Sequence, residues 1–344
     1  MNCRPAGPFP SRRQYSESDM PLPERALIAQ IRQIAGRRPR SARHSILAGI
    51  GDDCAVLHVP SSDDTLVTTD FSLEGVHFRR EWHPAEAVGH RCLTRGLSDI
   101  AAMGGRPLAV FLSLALPKEL SQSWVKAFTR GLIHLADKHG AMLAGGDTAG
   151  SPAGILADIV LVGAVPRGRA ILRSGARPGD RVFVSGQLGA SAAALVELRA
   201  HPKKKLDPSR YSRHFYPEPR IELGRILRDR RLASAMIDTS DGLSTDLSHI
   251  CEESGVGAEI DQAAIPRARV GKTRRVVELE LALHGGEDYE LLFTVPSGKR
   301  LPSNLAGVPI TCIGQITRPR RILLRGAGGT THELKPHGWE HFSR

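Results

Sequence analysis

Four short acidic motifs are the residues of this chain best suited to chemistry. The sequence predicts each of them at a point where an apolar, strand-like run meets a turn. They are Gly-Asp-Asp at 51–53, Thr-Thr-Asp at 68–70, Gly-Gly-Asp at 145–147 and Asp-Thr-Ser-Asp at 238–241. Carboxylates that folding brings together repel one another, by about 1 kcal/mol per pair at 4 Å even in water, so a convergent cluster requires cations. Oxygen ligands favour hard ions, and magnesium is the usual one beside phosphates. The motifs therefore indicate magnesium-nucleotide chemistry.

The segments around these motifs offer a way to hold phosphate. Gly145-Gly146-Asp147-Thr148 presents backbone N–H groups beside a carboxylate, so it is either a bare turn or a site for phosphate and its metal. Asp238 and Asp241 flank a predicted strand-to-helix junction, where Ser240 or Asp241 can cap the helix or the acids can bind a cation. Val270-Gly-Lys-Thr273 lacks the first glycine of a Walker A loop, so a nucleotide site must be built in another way.

Four further residues have both a structural and a functional interpretation. Glu287 follows Gly285-Gly286, which lets a ligand approach closely, so it belongs to a charged turn or orients a substrate. Arg173 is either a solvated loop arginine or a fork for phosphate. His77 and Trp339 are ambiguous by themselves, because most isolated histidines and tail tryptophans are structural. The sequence shows no Ser, His and Asp set in a nucleophile-elbow context.

Composition limits the class of protein. A chain of 344 residues can bury a large core and is long enough for two domains. Hydrophobic residues at 41% and charged residues at 24% are typical of a soluble globular protein. The net charge of +11 permits nucleic acid, an anionic membrane surface or a polyanionic small substrate. No aromatic-interleaved or groove-reading motif accompanies the basic runs, so we do not expect a nucleic-acid partner.

Cysteine usage and targeting signals indicate a cytoplasmic protein. The five cysteines are widely spaced, odd in number and never form a C-x-x-C pair, which disfavours a disulfide framework or a zinc site. Residues 1–19 contain prolines and arginines without an apolar core, so they predict a disordered extension rather than a secretory signal. No uninterrupted apolar stretch reaches about 18 residues, so we expect no membrane association.

Hydrophobic spacing predicts helices and strands that mingle in both halves of the chain. Helical spacing covers 24–35, 88–103, 124–140, 190–199, 221–227 and the segment after 241; strands are predicted at 65–70, 109–116, 155–165, 181–185, 290–295 and 309–316. Turn residues concentrate at Pro166-Arg-Gly and again at 175–179, which places a domain junction near residue 167. The predicted class is α/β or α+β, with domains at 20–166 and 167–344.

Seven ordered motifs give the chain a resemblance to a known family. They are Gly49-Ile-Gly-Asp-Asp-Cys-Ala55, Thr68-Thr-Asp70, Leu97-Ser-Asp-Ile-Ala-Ala-Met103, Ala144-Gly-Gly-Asp-Thr148, Arg173-Ser-Gly-Ala176, Ile237-Asp-Thr-Ser-Asp-Gly-Leu243 and Gly285-Gly-Glu-Asp-Tyr-Glu-Leu291. In this order and wording they resemble the thiamine-monophosphate kinase family, within a superfamily that includes aminoimidazole ribonucleotide synthetase and selenophosphate synthetase. The resemblance covers residues 24 to 342.

The resemblance implies ATP-dependent phosphorylation of thiamine monophosphate to thiamine diphosphate, the last step of thiamine diphosphate biosynthesis. It implies a homodimer whose N-terminal domains form a shared barrel, with ATP and several Mg²⁺ ions in a cleft that the C-terminal domain completes. By position, the metal ligands are Asp53, Thr68, Thr69, Asp70, Asp99, Asp147, Asp238 and Asp241. The ATP contacts are Gly146, Asp147, Arg173 and Ser240, and the contacts to thiamine monophosphate are His77, Glu287 and Trp339. Asp147, Arg173 and Asp241 are the implied catalytic residues.

The implied reaction needs no catalytic base, because the second pKa of a phosphate monoester lies near about 6. Metal ions and Arg173 would neutralise the repulsion between the two polyanions. Gly96 and Ala149 depart from the family's pattern at minor nucleotide contacts. Three alternatives stay open: a sibling ATP-dependent synthetase, a nucleic-acid-binding protein and a structural metal-binding module.

Overall fold

The structure is a computed structural model that describes residues 24–35, 45–48, 50 and 54–339. Asp53 and the predicted extension 1–19 lie outside the described residues. The helices are α1 (Glu24–Ala35), α2 (Ala85–Ala102), α3 (Gln122–His139), α4 (Ala190–Ala200), α5 (Ser212–Phe215), α6 (Ile221–Asp229), α7 (Leu243–Ser254) and α8 (Leu279–His284). The strands are β1 (Ile46–Ala48), β2 (Val56–Leu57), β3 (Asp63–Leu73), β4 (Arg106–Pro117), β5 (Met142–Ser151), β6 (Leu156–Pro166), β7 (Arg181–Ser185), β8 (Ala235–Asp238), β9 (Gly257–Asp261), β10 (Arg269–Val270), β11 (Arg275–Val276), β12 (Leu291–Val295), β13 (Asn304–Leu305), β14 (Val308–Thr317), β15 (Ile322–Arg325) and β16 (Thr331–Glu333). Across these ranges no helix is both long and apolar enough to span a membrane.

The N-terminal half is built on a four-stranded sheet. The strand order is β3-β6-β4-β5, in which β4 and β5 run parallel and the other neighbours run antiparallel. Side chains alternate between the two faces of a strand. Along β3, Thr68 and Asp70 are partly buried, whereas Val67, Thr69 and Phe71 are exposed. Strand β3 therefore turns Thr68 and Asp70 toward the helical layer and Thr69 toward the opposite face.

Helix α2 lies at the junction between the two halves. Its residues Leu97 and Ile100 belong to the same hydrophobic core as Phe183 and Phe293 of the C-terminal sheet. Most of the helix is buried, from Ala87 to Ala102. A helix whose apolar side chains pack on both halves has little freedom to rotate, so this packing determines where its polar residues lie.

The C-terminal half is built on a mixed sheet with the order β16-β15-β9-β14-β7-β12-β8, and β13 pairs with β14. One face of this sheet packs on helices. Leu198 of α4, Leu247 of α7 and Leu283 of α8 share a second hydrophobic core with Val182 and Leu292 of the sheet. The chain between β6 and β7 links the two sheets. The result is a mixed α/β fold of two domains.

Two acidic motifs lie inside strands, so the prediction of a turn at each was wrong. Strand β3 continues to Leu73, and Asp70 pairs with Ile159 of β6. Strand β5 runs through the Gly-Gly-Asp motif, and its pairing with β4 places Asp147 opposite Ser113. The polar residues did not end the strands because backbone hydrogen bonding to a neighbouring strand continues on both sides of them.

The predicted cap of α7 was also wrong. The residue before the helix is Gly242, and neither Ser240 nor Asp241 caps it with its side chain. Instead, the Gly242 backbone N–H donates to a carboxylate oxygen of Asp246, one turn into the helix, at 3.0 Å.

A buried histidine pair joins the two halves and gives a prediction for stability at low pH. Nε2 of His83 lies 3.0 Å from Nε2 of His214, whose Nδ1 lies 2.9 Å from the Ser191 hydroxyl. Two facing ring nitrogens accommodate one proton between them, so the two rings cannot both be protonated. Burial first, and then Arg91, lowers the pKa of His83 from 6.5 to about 4.

Between pH 6.5 and 4 the unfolded chain therefore binds more protons at His83 than the folded chain, and stability falls as the pH falls. For His83 alone we expect the free energy of unfolding to drop by roughly 2 kcal/mol from pH 7 to pH 5. Urea unfolding at a series of pH values measures this slope. His83→Gln should flatten it, whereas His58→Gln at an exposed position should not. An unchanged slope in His83→Gln would contradict the prediction.

Candidate active site

Three aspartates from three elements form a buried acidic cluster. Asp70 lies on β3, Asp99 on α2 and Asp238 at the end of β8. The Thr68 hydroxyl, also on β3, donates a hydrogen bond to Asp99 Oδ2. Burial, and next the charge of Asp99, raises the pKa of Asp70 to about 7 and the pKa of Asp238 to about 8. Burial also raises the pKa of Asp99. The cluster concentrates more negative charge than its protein surroundings compensate.

The donor set of this cluster fits a hard divalent cation. Carboxylate and hydroxyl oxygens are the ligands that magnesium takes in proteins, and a cation would replace the protons that the raised pKa values favour. Within the described ranges, however, no three Asp, Glu, His or Cys side chains are already arranged as a complete metal site. Magnesium usually retains waters and binds one or two carboxylates together with phosphate oxygens, so the cluster suits a metal that arrives with a nucleotide.

Arg173 is a loop arginine whose charge acts on this cluster. It follows β6, and its side chain is exposed. Its positive charge partly offsets the rise in the pKa values of Asp99 and Asp238. The Ser254 hydroxyl donates to the Arg173 carbonyl oxygen at 3.2 Å, which ties the loop to the end of α7. An exposed guanidinium beside buried carboxylates is placed to meet an incoming phosphate.

A cavity of about 570 Å³ opens beside the acidic cluster. Its wall brings together residues that the sequence predicted for metal, nucleotide and substrate: Asp70, His77, Ser240, Asp241, Glu287 and Trp339. The Trp339 backbone N–H donates to the Asp241 carbonyl oxygen at 3.0 Å, and Gly338 N–H donates to Thr245 at 3.0 Å. These bonds hold the C-terminal segment across the start of α7, so that Trp339 forms part of the wall.

Gly146 and Asp147 line a different cavity. It measures about 680 Å³ and has apolar walls from Ile28, Ile31 and Phe111. Asp147 is exposed, and its Oδ1 accepts from the Thr148 backbone N–H at 2.8 Å. Strand β5 is three strands away from β3, a separation of about 14 Å at the usual strand spacing. Within one chain, Asp147 is thus separate from the acidic cluster, and the exposed side chain of Thr69 faces away from it as well.

The three acids after Gly285-Gly286 each bind a different element. Both carboxylate oxygens of Glu287 are held at 2.6 Å, one by Arg91 and one by Arg95. Asp288 accepts the backbone N–H of Gly189 at 2.6 Å at the start of α4, and Glu290 binds Arg220 and the Ser185 hydroxyl. Although burial opposes its ionisation, Arg91 and Arg95 hold the pKa of Glu287 at about 2. This turn is therefore a junction of the fold as well as a cavity wall.

Comparison with known proteins decides the family. The family models described as AIR synthase related protein, N-terminal domain and C-terminal domain, match residues 51–168 and 177–322. Thiamine-monophosphate kinase of Salmonella typhimurium is 41% identical over 318 residues, which cover 89% of this chain and 95% of that relative. The chain belongs to the thiamine-monophosphate kinase family. The resemblance inferred from the seven motifs is confirmed.

Solved structures of thiamine-monophosphate kinases share this fold. Thiamine-monophosphate kinase from Stenotrophomonas maltophilia K279a superposes with a TM-score of 0.76 at 36% identity, covering 88% of this chain and 96% of that chain. The structure of AaThiL complexed with AMPPCP and TMP has a TM-score of 0.72 at 31% identity, covering 97% of this chain and all (100%) of that chain. The two-domain mixed α/β architecture is thus the architecture of the thiamine-monophosphate kinase family.

Sequence reasoning missed two arginines of this thiamine-monophosphate kinase homologue. Arg91 and Arg95 precede Asp99 at intervals of four residues, so all three lie along one side of α2. Both arginines are largely buried, with side-chain exposures of 5% and 15%. The spacing was readable in the sequence. The partner that holds both arginines, Glu287, is 192 residues from Arg95 and could not be read from it.

Proposed function

We propose that this protein transfers the γ-phosphoryl group of ATP to the phosphate of thiamine monophosphate, giving thiamine diphosphate and ADP. The observation that supports this most directly is the cavity beside the acidic cluster, which joins Asp70 and Asp241 with Glu287 and Trp339. It occurs in a chain 41% identical to a thiamine-monophosphate kinase, and a relative of the same fold was solved with AMPPCP and TMP.

The two substrates would occupy different cavities, and the reaction requires their phosphates to meet between these cavities. The apolar cavity beside Gly146 suits a nucleotide base, since such rings bind among apolar side chains with few polar contacts. The cavity with His77 and Trp339 suits thiamine, whose cationic ring can stack against an indole. Asp70, Asp99 and Asp238 would hold Mg²⁺, which would supply positive charge between the phosphates when bound.

In the transfer, a phosphate oxygen of thiamine monophosphate forms a bond to the γ-phosphorus of ATP. The bond from that phosphorus to the bridging oxygen of ADP breaks, and ADP leaves with its electron pair. The attacking oxygen is largely deprotonated at neutral pH, so the protein has to position and neutralise rather than remove a proton. We assign Arg173 to neutralising the phosphates, and Asp147 and Asp241 to holding the metal ions that would position them.

We further propose that two copies pair through their N-terminal sheets as a shared barrel. Strand β3 is an edge strand, and Val67 and Phe71 on its outward face are 63% and 55% exposed. An exposed edge with large apolar side chains is a surface that proteins normally cover. A second copy would cover it and would bring further residues toward the nucleotide.

The test is a coupled ADP-release assay with ATP and magnesium, comparing thiamine monophosphate with unphosphorylated thiamine and with buffer. We expect ADP and thiamine diphosphate to appear in equal amounts with thiamine monophosphate only. ATP turnover that depends on a different acceptor would assign the chain to a sibling ATP-dependent reaction. Tight polynucleotide binding with steep salt dependence would favour a nucleic-acid function.

A further inference from the structure

Arg91, Arg95 and Glu287 form a buried ionic group whose charges do not cancel. One carboxylate binds two guanidinium groups, each at 2.6 Å, which leaves one positive charge in excess. The Glu287 side chain is 23% exposed and both arginines are more buried. Removing charges from water is costly, so this excess positive charge must be offset by an anion nearby, either the carboxylates of the acidic cluster or a bound ligand.

The side chains of the two arginines lie in different parts of the structure. Arg91 points into the domain junction, where its guanidinium also donates to the His214 carbonyl oxygen. Arg95 lines the 570 Å³ cavity together with Asp70. Its charge also acts on the carboxylates of Asp70 and Asp99, where it partly offsets the rise in their pKa values. Arg95 thus lies between the acidic cluster and the cavity, whereas Arg91 does not reach the cavity wall.

The other arginines of the cavity are less suited to fix a phosphate. Arg79 and Arg199 are exposed on the cavity rim. The guanidinium carbon of Arg79 lies 4.9 Å from the centre of the Trp82 ring. An exposed arginine must be ordered by its ligand, whereas Arg95 is already oriented by Glu287 and needs no further ordering.

We propose that Arg95 binds the phosphate of the acceptor, and that Glu287 is a positioning residue that holds the Arg95 guanidinium for this contact. This rests on the proposed function and deepens it. A phosphate at Arg95 would lie next to Asp70, where a nucleotide-bound metal would bind. The fixed guanidinium of Arg95 would thus orient the attacking phosphate toward the donor. Arg95 has five N–H donors, and Glu287 engages its terminal group through one of them, which leaves donors for phosphate oxygens.

The experiment measures binding of thiamine monophosphate and of unphosphorylated thiamine to the full-length protein by calorimetry. In Arg95→Gln we expect the affinity for thiamine monophosphate to fall by about 10- to 100-fold, the loss of charge-assisted hydrogen bonds, with the affinity for thiamine unchanged. Arg95→Lys keeps the positive charge but not the forked guanidinium, so its affinity for thiamine monophosphate should fall less than that of Arg95→Gln. Arg91→Gln is the matched control, because it removes the other partner of Glu287 and should preserve the difference between the two ligands.

Equal weakening of both ligands in Arg95→Gln, or loss of the phosphate-dependent difference in Arg91→Gln or Arg79→Gln instead, would overturn the assignment. Wild-type protein that makes thiamine diphosphate while Arg95→Gln binds both ligands normally would overturn the role of Arg95 and leave the proposed function standing. Wild-type protein that neither binds thiamine monophosphate nor turns it over would overturn both.

Discussion

Asp238→Asn is expected to reduce turnover by at least about 100-fold while leaving the metal-free protein as stable as the wild type, within about 1 kcal/mol. Asp238 is 3% exposed, and burial and the charge of Asp99 both disfavour its anion. Asparagine has nearly the same shape and carries no charge, so the free energy of unfolding should change little. Metal-supported catalysis would lose one of the carboxylates that we propose hold the cation. Turnover with saturating magnesium and ATP, beside urea unfolding in a chelator, measures the two effects.

Asp288→Asn is the matched control, because Asp288 is also buried and burial also raises its pKa, to about 7. Its carboxylate accepts the backbone N–H groups of Gly189 at 2.6 Å and Ala190 at 3.1 Å, so its role is to cap α4. We expect this variant to lose about 1–2 kcal/mol of stability and to change turnover by less than about tenfold. If both variants lost stability and turnover in parallel, the functional assignment of Asp238 would be wrong.

The contrast between these two aspartates shows what the sequence could predict. Both stand next to a glycine-rich or hydroxyl-rich turn, and composition alone does not distinguish a cation-binding carboxylate from a helix cap. Their proposed roles differ because of neighbours that are distant in sequence, Asp99 for one and the start of α4 for the other. The ordered motifs identified the family. The partner of each charged group required the fold.

The sequence also could not show which face of strand β3 each side chain occupies. Leu66 and Val67 are both apolar, so the pattern before the acidic motif does not alternate and gives no face to Thr68, Thr69 and Asp70. The pairing of β3 with β6 determines the face of each side chain, and Thr69 faces away from the acidic cluster. Separation of Asp147 from Asp70 likewise follows from the strand order, in which β5 is added beyond β4. No local property of the Gly-Gly-Asp motif encodes that order.

Gly146→Ala is expected to destabilise the protein by about 2–4 kcal/mol and to abolish nucleotide binding in the molecules that fold. Gly146 has φ +152°, which side chains with a Cβ rarely adopt. A Cβ at this position would lie 1.9 Å from the Leu112 carbonyl oxygen of β4 and 2.7 Å from its carbonyl carbon. Both are backbone atoms of the neighbouring strand, so relief requires β4 and β5 to separate. Urea unfolding and equilibrium binding of AMPPCP measure the two losses.

Gly150→Ala tests whether the effect belongs to this position rather than to the strand. Gly150 lies on the same strand opposite Leu116, and a Cβ there meets nothing within 4 Å. We expect a change in stability of no more than about 0.5 kcal/mol and normal AMPPCP binding. If Gly146→Ala behaved like Gly150→Ala, the close approach of β5 to β4 would not shape the nucleotide site. If Gly146→Ala lost only stability and bound AMPPCP normally, the apolar cavity beside Gly146 would not be the place where the nucleotide binds.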